Sequence, residues 1–224
     1  MKIIVTNDDG IYSPGILELK KAMELLGSVT LVAPDVQKSG VGHSITFSHP
    51  LRVRDVYANG DFIGYGIDGS PADCVKLAVR EILKERSQLL VSGINIGANV
   101  GINVLYSGTV AAAIEGALLG IPSVALSLEI SESAPDVKGA AETAKDIIAL
   151  IMKKELPRGT LLNVNIPNIS KDKIKGVKIT KQFSGDFDEH YEKRTDPRGI
   201  AYYWLYGTGW PKVDVIGTDM HALK

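Results

Sequence analysis

The sequence predicts an α/β protein whose mostly parallel β-sheet is covered by helices on both faces. Strand-like and helix-like segments alternate through residue 166. The strand-like segments are short apolar runs of the kind buried in parallel sheets, and the segments between them are long enough to form crossover helices. Two regions depart from this alternation. We expect a β-hairpin at 51–67 and an aromatic-rich C-terminal β extension after residue 170.

The predicted strands are rich in Val, Ile and Leu, which favour burial on both faces of a sheet. In chain order, the core strands are predicted at 2–6, 29–33, 89–91, 124–126 and 161–166. The hairpin is predicted from strand-like runs at 51–57 and 62–67, which flank Asn59-Gly60-Asp61. Asn-Gly between two such runs is a strong hairpin signal, because both residues adopt positive φ readily.

The predicted helices carry start and stop signals, and they lie at 13–27, 70–86, 108–119 and 136–154. Ser13-Pro14 combines a capping residue with a proline at the first helical position, and Gly27 ends that helix. The last helix begins at Asp136 and ends at Lys153-Lys154. These charges complement the helix dipole at both ends.

We divide the chain into an α/β catalytic core at 1–170 and a C-terminal extension at 171–224. More than half of the aromatic residues lie in the extension, and strand alternation at 200–206 places four large side chains on one face: Ile200, Tyr202, Trp204 and Tyr206. Either a local core or a subunit interface accounts for such a stripe. We predict an interface, in a homodimer or homotetramer.

Composition excludes several classes of function. The chain has 224 residues and a formal net charge of −1, so nothing in its charge favours binding to nucleic-acid polymers or membranes. No apolar run approaches the roughly 18 residues of a membrane span, and the N-terminus lacks the regions of a signal peptide. Cys74 is the single cysteine, which fits a reducing compartment and a buried structural residue. We therefore expect a cytoplasmic protein.

Asp8 and Asp9 directly follow the first predicted strand and precede Gly10. Ligands of open α/β sheets bind beyond the carboxyl ends of the strands, which is where this acid pair lies. Adjacent carboxylates repel each other, and oxygen ligands favour a hard cation such as Mg²⁺, Mn²⁺ or Ca²⁺. A strand end followed by a simple Asp-Gly turn is the alternative interpretation.

Three later loops are expected at the same edge of the sheet. The loop at 33–40 offers Ser39 and Gly40, and the loop at 92–101 offers Asn95 and Asn99 as neutral oxygen donors. The third, at 106–110, holds Ser107, Gly108 and Thr109 at a helix start, where free amides and the helix dipole favour phosphate.

Each of these loops alone also fits a structural turn or cap. In combination, a carboxylate pair, hydroxyl and amide donors and a helix start favour metal-assisted phosphoryl hydrolysis. Dinucleotide binding is disfavoured, because no G-x-G-x-x-G follows the first strand. His43 lies just after the Ser39 loop, and two roles stay open for it: a donor to substrate or a structural loop residue.

Five motifs together resemble the SurE family, the "survival protein" 5′-nucleotidases. They are Asn7-Asp8-Asp9-Gly10, Ala33-Pro34-Asp35 with Ser39-Gly40, Gly69-Ser70-Pro71-Ala72-Asp73-Cys74, Ser92-Gly93-Ile94-Asn95, and Tyr106-Ser107-Gly108-Thr109-Val110-Ala111-Ala112-Ala113 with Glu115-Gly116. The resemblance runs in order from residue 1 to about residue 221. It implies a Rossmann-like core and a divalent-metal-dependent phosphatase that acts on nucleoside monophosphates.

The resemblance also implies roles for individual residues. It implies four metal ligands, which are Asp8, Asp9, Ser39 and Asn95, and it places Ser107, Gly108 and Thr109 at the phosphate. We predict Asp8 and Asp9 as the catalytic residues and Mg²⁺ or Mn²⁺ as the cofactor. Gly40 and Asn99 are predicted to contact substrate. Either a water molecule or the Asp8 carboxylate is the nucleophile, and we favour water.

The predicted reaction releases phosphate from nucleoside 5′-monophosphates, with 3′-nucleotides and short polyphosphate as further candidate substrates. Three alternatives remain: a Mg²⁺-binding receiver-type signalling domain, a phosphatase with an aspartyl nucleophile in an Asp-x-Asp motif, and a broad-specificity acid phosphatase with non-nucleotide substrates. A receiver domain requires an aspartate at the end of its third core strand, whereas the strand at 89–91 is followed by Ser92-Gly93.

The sequence departs from the family pattern at two places. The family usually continues beyond 218–222 through another strand, whereas this sequence ends at Lys224. The resemblance therefore does not extend to dimer contacts made by such a tail. Lys38 stands where the family often has arginine, and it replaces a bidentate fork with a point charge.

Overall fold

A computed structural model describes residues 1–130, 133–154, 156–185, 189–207 and 214–223. These residues fall into two compact units. The first comprises Met1–Asn99 and Asn103–Gly176, and the second comprises Val100–Ile102 and Val177–Lys224. The functional division at residue 170 stays a prediction.

The first unit contains a seven-stranded sheet with the order β3-β4-β2-β1-β5-β6-β7. Every neighbouring pair is parallel except β3 and β4, which form an antiparallel hairpin. The strands are β1 Lys2–Thr6, β2 Ser28–Pro34, β3 Val53–Ala58, β4 Asp61–Ile67, β5 Leu89–Ile96, β6 Ser123–Leu128 and β7 Leu161–Ile166.

Helices cover both faces of this sheet, as the alternation of segments predicts. They are α1 Pro14–Glu24, α2 Pro71–Leu77, α3 Asn103–Tyr106, α4 Gly108–Leu118 and α5 Val137–Ile151. Side chains of β1 alternate between two buried clusters. Ile3 and Val5 pack with residues of α1 and α5, whereas Ile4 packs with residues of α2 and α4. The predicted fold class is confirmed, since a sheet buried on both faces needs apolar side chains on both.

Cys74 lies on α2 and is fully buried. Burial raises the pKa of its thiol well above the usual range, so the thiolate needed for nucleophilic attack is suppressed. The small residues of α4 allow close packing on the sheet, because a side chain at Gly116 would overlap Ser123 and Leu90. The overlap explains the glycine at position 116.

The structure differs from the predicted elements in three places. β5 continues to Ile96 rather than ending near residue 91, because it resumes pairing with β6 after an irregularity between Ser92 and Asn95. The second predicted helix becomes π-helical at Ala78–Ile82. The short α3 was not predicted, since four residues carry too little periodicity to detect.

The second unit contains a two-stranded antiparallel sheet, β8 Glu189–Thr195 and β9 Ala201–Gly207. All residues of both strands are exposed. A short helix, α6 Asp219–Ala222, follows, and the Asp219 carboxylate accepts hydrogen bonds from the amides of Gly101 (2.9 Å) and Phe183 (2.8 Å). Phe187 and Trp210, counted above among the aromatic residues, lie outside the described residues. Within the described ranges, no helix has the length and apolar character required to cross a membrane.

Candidate active site

The site lies where the chain reverses its direction of travel across the sheet. From the central β1 the chain moves first to β2 on one side, and later enters β5 on the other side. Such a switch point opens a crevice at the carboxyl ends of the strands. Thr6, the last residue of β1, pairs with Ser92 of β5, so the segments that follow these two residues border this crevice.

A tight turn holds the acid pair at the end of β1. The buried Asn7 side chain donates hydrogen bonds to the Gly10 carbonyl (3.1 Å) and to the Ser13 hydroxyl (2.8 Å). Gly10 has φ +96°, a conformation that glycine adopts without steric cost. Asn7 therefore fixes the turn and couples it to the start of α1.

Asp8 is nearly buried, with 4% of its surface exposed. Its Oδ1 accepts a hydrogen bond from the Thr109 hydroxyl at the start of α4. Burial raises the pKa of Asp8, while the Thr109 hydroxyl and the backbone amides of Thr109 and Gly108 oppose that rise. The helix start predicted to hold phosphate is therefore already next to an anionic oxygen of the protein.

Asp9 is partly buried, and its pKa is raised to about 6. Burial is the larger cause, and the neighbouring Asp8 charge is the second. No lysine, arginine or histidine in the described part of the chain offsets either shift. The pair therefore carries a charge that the described protein groups do not neutralise.

A divalent cation fits this donor set. The described residues contain no cluster of three or more His, Cys, Asp or Glu side chains, so two carboxylates with neutral oxygen donors are the available ligands. Hard cations such as Mg²⁺ prefer this chemistry. In the described residues, the buried oxygens Thr6 Oγ1, Asn7 Oδ1 and Ser92 Oγ have no hydrogen-bond partner. They lie at the same edge of the sheet and mark it as a polar, ligand-facing region.

Ser39 and Gly40 lie on the loop that follows β2. This loop is brought to the acid pair by a backbone hydrogen bond from Lys38 N to Asp8 O at 2.7 Å. The Ser39 hydroxyl is exposed and accepts a hydrogen bond from the Gln37 side chain at 2.8 Å. Gly40 has φ +69° and open space where a side chain would begin. The structure thus attaches their loop to Asp8 through Lys38, and the roles of Ser39 and Gly40 stay predictions.

Asn95 and Asn99 have different surroundings. Asn95 lies near the end of β5, and its Nδ2 donates to the Gly97 carbonyl at 2.7 Å. Because the Nδ2 group makes this hydrogen bond, the Oδ1 atom of Asn95 is left to act as a neutral oxygen ligand. Asn99 is buried, and its Nδ2 donates to Ser127 Oγ at 2.8 Å, while its backbone amide donates to Asn165 Oδ1 at 2.8 Å. These contacts give Asn99 a structural task, and substrate contact stays a prediction.

The start of α4 is capped and closely packed. Ser107 accepts a hydrogen bond from the Val110 amide at 3.1 Å, so its hydroxyl acts as an N-cap. A side chain at Gly108 would lie 2.8 Å from Asp8 Cβ and 3.1 Å from Pro71 Cγ. Glycine is therefore required here by the approach of Asp8, whatever ligand binds at the helix start.

A nearby cluster was not predicted as a unit. The Glu115 carboxylate on α4 contacts His43 Nε2 at 2.9 Å and Lys76 Nζ at 3.0 Å. Of the two roles left open for His43, the structure supports a satisfied loop residue. The one available signal was Glu115 itself, an acidic residue in the middle of a helix of small and apolar residues.

The doubly wound sheet, the carboxylate pair at its switch point and the adjacent helix start define the class of this protein, a Rossmann-like α/β protein with a candidate active site at the sheet edge. A family model described as "Survival protein SurE" matches residues 3–189. The chain belongs to the SurE family.

Individual relatives agree with this assignment. A protein of Syntrophobacter fumaroxidans named 5′-nucleotidase SurE is 47% identical over 223 residues, covering 100% of this chain and 89% of that protein. A protein of Rhodopirellula baltica with the same name is 45% identical over 225 residues, covering 100% and 88%. The crystal structure of the SurE protein from Aquifex aeolicus matches with a TM-score of 0.87 at 41% identity, covering 100% of this chain and 89% of that one.

Proposed function

We propose that this protein is a metal-dependent phosphatase that hydrolyses nucleoside monophosphates to nucleoside and phosphate. Membership of the SurE family supports the reaction, since the relatives described above carry the name 5′-nucleotidase. The structural observation that carries the proposal is the buried Asp8, which lies beside Asp9 and against the start of α4 with no cationic protein partner among the described residues.

Four residues are proposed to hold the cation: Asp8, Asp9, Ser39 and Asn95. The carboxylates supply negative charge, and the hydroxyl and amide oxygens supply neutral ligands. When bound, the ion supplies polarisation of the phosphoryl oxygens and a lower pKa for a coordinated water. Mg²⁺ and Mn²⁺ are the proposed ions, because both accept such oxygen ligands.

The start of α4 is proposed to bind the phosphate. The amides of Gly108 and Thr109 are near Asp8, and helix N-termini bind anions through such groups. In the reaction, a water oxygen bonds to phosphorus while the ester bond breaks, and the leaving nucleoside oxygen takes a proton. The amides and the Thr109 hydroxyl hold the phosphate while this occurs. Gly40 leaves room for a substrate group to approach. Ser107 and Asn99 are retained as proposed substrate contacts in addition to their structural hydrogen bonds.

The alternative functions lack support. A receiver domain requires an acceptor aspartate after its third core strand, and β5 instead carries Ser92 and Asn95. An Asp-x-Asp phosphatase requires a residue between its two acids, and these are adjacent. None of the relatives reported above is named as a signalling domain or an acid phosphatase.

Location and assembly are also proposed. The single buried cysteine fits a reducing cytoplasm. The exposed aromatic residues of β9 fit a subunit interface in a homodimer or homotetramer, because large exposed apolar patches mark association sites.

Phosphate release from a panel of nucleotides, measured before and after dialysis against EDTA, tests the proposed function. We expect release from nucleoside monophosphates, its loss in the metal-free protein and its recovery with Mg²⁺ or Mn²⁺. Parallel assays with 3′-nucleotides, short polyphosphate and a sugar phosphate define the substrate range. Full activity in a verified metal-free preparation would exclude the metal mechanism, and a preference for the sugar phosphate would exclude the nucleotide assignment.

A further inference from the structure

Glu115 is a buried carboxylate that connects two different segments through its two oxygens. Its side chain is 7% exposed, and it lies on α4. Oε2 contacts His43 Nε2 at 2.9 Å, and Oε1 accepts a hydrogen bond from Lys76 Nζ at 3.0 Å. A carboxylate at this depth is costly unless it is paired and hydrogen-bonded. The two contacts together offset the cost of burying Glu115.

His43 belongs to the loop at 38–46, which contains no helix or strand and carries Ser39 and Gly40. Backbone hydrogen bonds join this loop to Asp8 through Lys38 N (2.7 Å) and to Tyr106 through Gly42 N (3.0 Å). The loop therefore runs from the acid pair past Tyr106, the last residue of α3, which lies two positions before α4. Small movements of its backbone would change the position of Ser39.

The far end of the same loop is attached to α2. Thr46 donates from its amide (3.0 Å) and its hydroxyl (2.7 Å) to the Asp73 carboxylate. Burial alone would raise the pKa of Asp73, but these bonds and those from Ser70 outweigh it and lower the pKa. Ser70 also donates from its hydroxyl to the Ser44 carbonyl at 2.7 Å. Between these attachments, His43 supplies a side-chain link to α4.

We propose that the His43–Glu115 contact positions the loop at 38–46, so that Ser39 is held at the cation site and in register with the start of α4. This inference rests on the proposed function for its catalytic consequence. Glu115 and the start of α4 belong to the same helix. A loop that contacts Glu115 is therefore held in a fixed position relative to the start of α4. His43 and Glu115 are positioning residues in this proposal.

Lys76 provides a matched control. It contacts the same carboxylate at a similar distance, but it lies on α2 and not on the loop. Replacing either residue removes one partner of a buried charge, but His43 is the partner that lies on the same loop as Ser39. If the loss of a partner for Glu115 disturbs the protein generally, the effect should appear in both the His43 and the Lys76 variants. If His43 positions the loop, the effect should appear in the His43 variants alone.

The experiment compares His43→Leu, His43→Gln and Lys76→Met with the wild type. Amide hydrogen exchange of 38–46 is measured in the metal-free proteins, and Mn²⁺ affinity is measured by calorimetry. For His43→Leu we expect exchange in the loop to rise several-fold and Mn²⁺ affinity to fall about 10-fold, the scale seen when supporting partners of metal ligands are removed. His43→Gln, which keeps a donor, should recover part of both losses. Lys76→Met should leave both near wild type.

Two results would overturn the proposal. The first is unchanged Mn²⁺ affinity in both His43 variants, and the second is an equal loss in Lys76→Met. Neither measurement depends on turnover. A wild-type protein that binds Mn²⁺ but releases no phosphate from nucleotides would therefore refute the proposed function and leave the positioning proposal to be decided by exchange and affinity.

Discussion

Proteins usually bury apolar side chains and expose charged ones, and two regions of this molecule depart from that rule in opposite ways. They are the edge of the sheet around β1 and the β8–β9 hairpin. At the sheet edge, the carboxylates Asp8 and Asp9 are buried or half-buried without a cationic protein partner among the described residues. On the hairpin, large side chains such as Trp204 and Tyr206 are 58% and 60% exposed. Buried unpaired charge and exposed aromatic surface are both unfavourable for an isolated chain.

This contrast indicates what each region requires. A buried charge pair requires an ion of opposite sign, and an exposed aromatic face requires apolar surface to cover it. These requirements support the proposals made above, a cation site at the sheet edge and a subunit interface on the hairpin. Substitutions in the acid pair should change ligand binding and leave assembly unchanged, and substitutions on the aromatic face should do the reverse.

The largest expected effect follows Asp9→Asn. Removing one carboxylate should lower kcat/KM by about 100-fold or more, because a bound metal contributes several kcal/mol to transition-state stabilisation. The metal-free variant should melt at the wild-type temperature or above it, since the repulsion from Asp8 is relieved. Steady-state kinetics and calorimetry measure these changes, with Asp61→Asn at the start of β4 as control. Near-normal turnover at saturating metal would show that Asp9 is not a ligand.

The pH dependence of the metal-free protein gives a second test of the charge pair. The pKa of Asp9 is raised from 3.8 to about 6, so the folded state holds its proton more tightly than the unfolded state. Stability from this group is present at low pH and is lost as pH rises from about 4 to about 6. Wild type should therefore lose stability relative to Asp9→Asn across that window. A constant difference in denaturant midpoint from pH 4 to pH 7 would contradict the assigned pKa.

Thr109→Val tests the contact between α4 and the acid pair. The hydroxyl donates to Asp8, so its removal should raise the pKa of Asp8 further and move the acidic limb of the kcat/KM profile to higher pH. We expect a loss of about 10-fold in kcat/KM, the lower end of the scale for removing a hydrogen-bonding partner of a metal ligand. Thr143→Val, which removes a buried hydroxyl bonded to the Gly139 carbonyl on α5, is the matched control. An unshifted profile would assign Thr109 a packing role.

Local patterns predicted the parts of this site that depend on short segments. β1 and β7 follow the predicted bounds, because each is a short apolar run bordered by polar or turn residues. The position of Asp8 and Asp9 beyond β1 follows from the same pattern. The contact between Asp8 and Thr109 joins residues 101 positions apart, and the links from Glu115 to His43 and Lys76 span 72 and 39 positions. Such contacts depend on tertiary packing, and local patterns in one sequence do not reveal which distant residues will meet.

Substitutions on the β8–β9 hairpin are expected to change the assembly of subunits without changing catalysis. Tyr202→Ser with Trp204→Ser removes aromatic surface from one face of β9, whereas Tyr203→Ser alters the other face. If the first face is the subunit interface, the double variant should shift to a smaller species in light scattering, with melting of the monomer little changed. Tyr203→Ser should keep the wild-type mass. Equal masses for all three proteins would remove the interface assignment.

The smallest expected effects come from two helix caps, and they separate a structural role from a binding role. Ser107 accepts from the Val110 amide at 3.1 Å, and Asp136 accepts from the Gly139 amide at 2.9 Å. Alanine at either position should lower the free energy of unfolding by about 0.5–2 kcal/mol. Asp136 is remote from the acid pair in sequence and caps a helix on the other face of the sheet.

Asp136→Ala should therefore leave kinetics unchanged, whereas Ser107→Ala should also weaken the affinity for inorganic phosphate if the hydroxyl contacts substrate. Calorimetric titration with phosphate, beside chemical denaturation of both variants, makes the comparison. Ser107→Thr keeps the oxygen and should restore both properties. If Ser107→Ala loses stability as Asp136→Ala does and binds phosphate normally, Ser107 acts only as a cap, and phosphate binding at α4 then depends on the amides of Gly108 and Thr109.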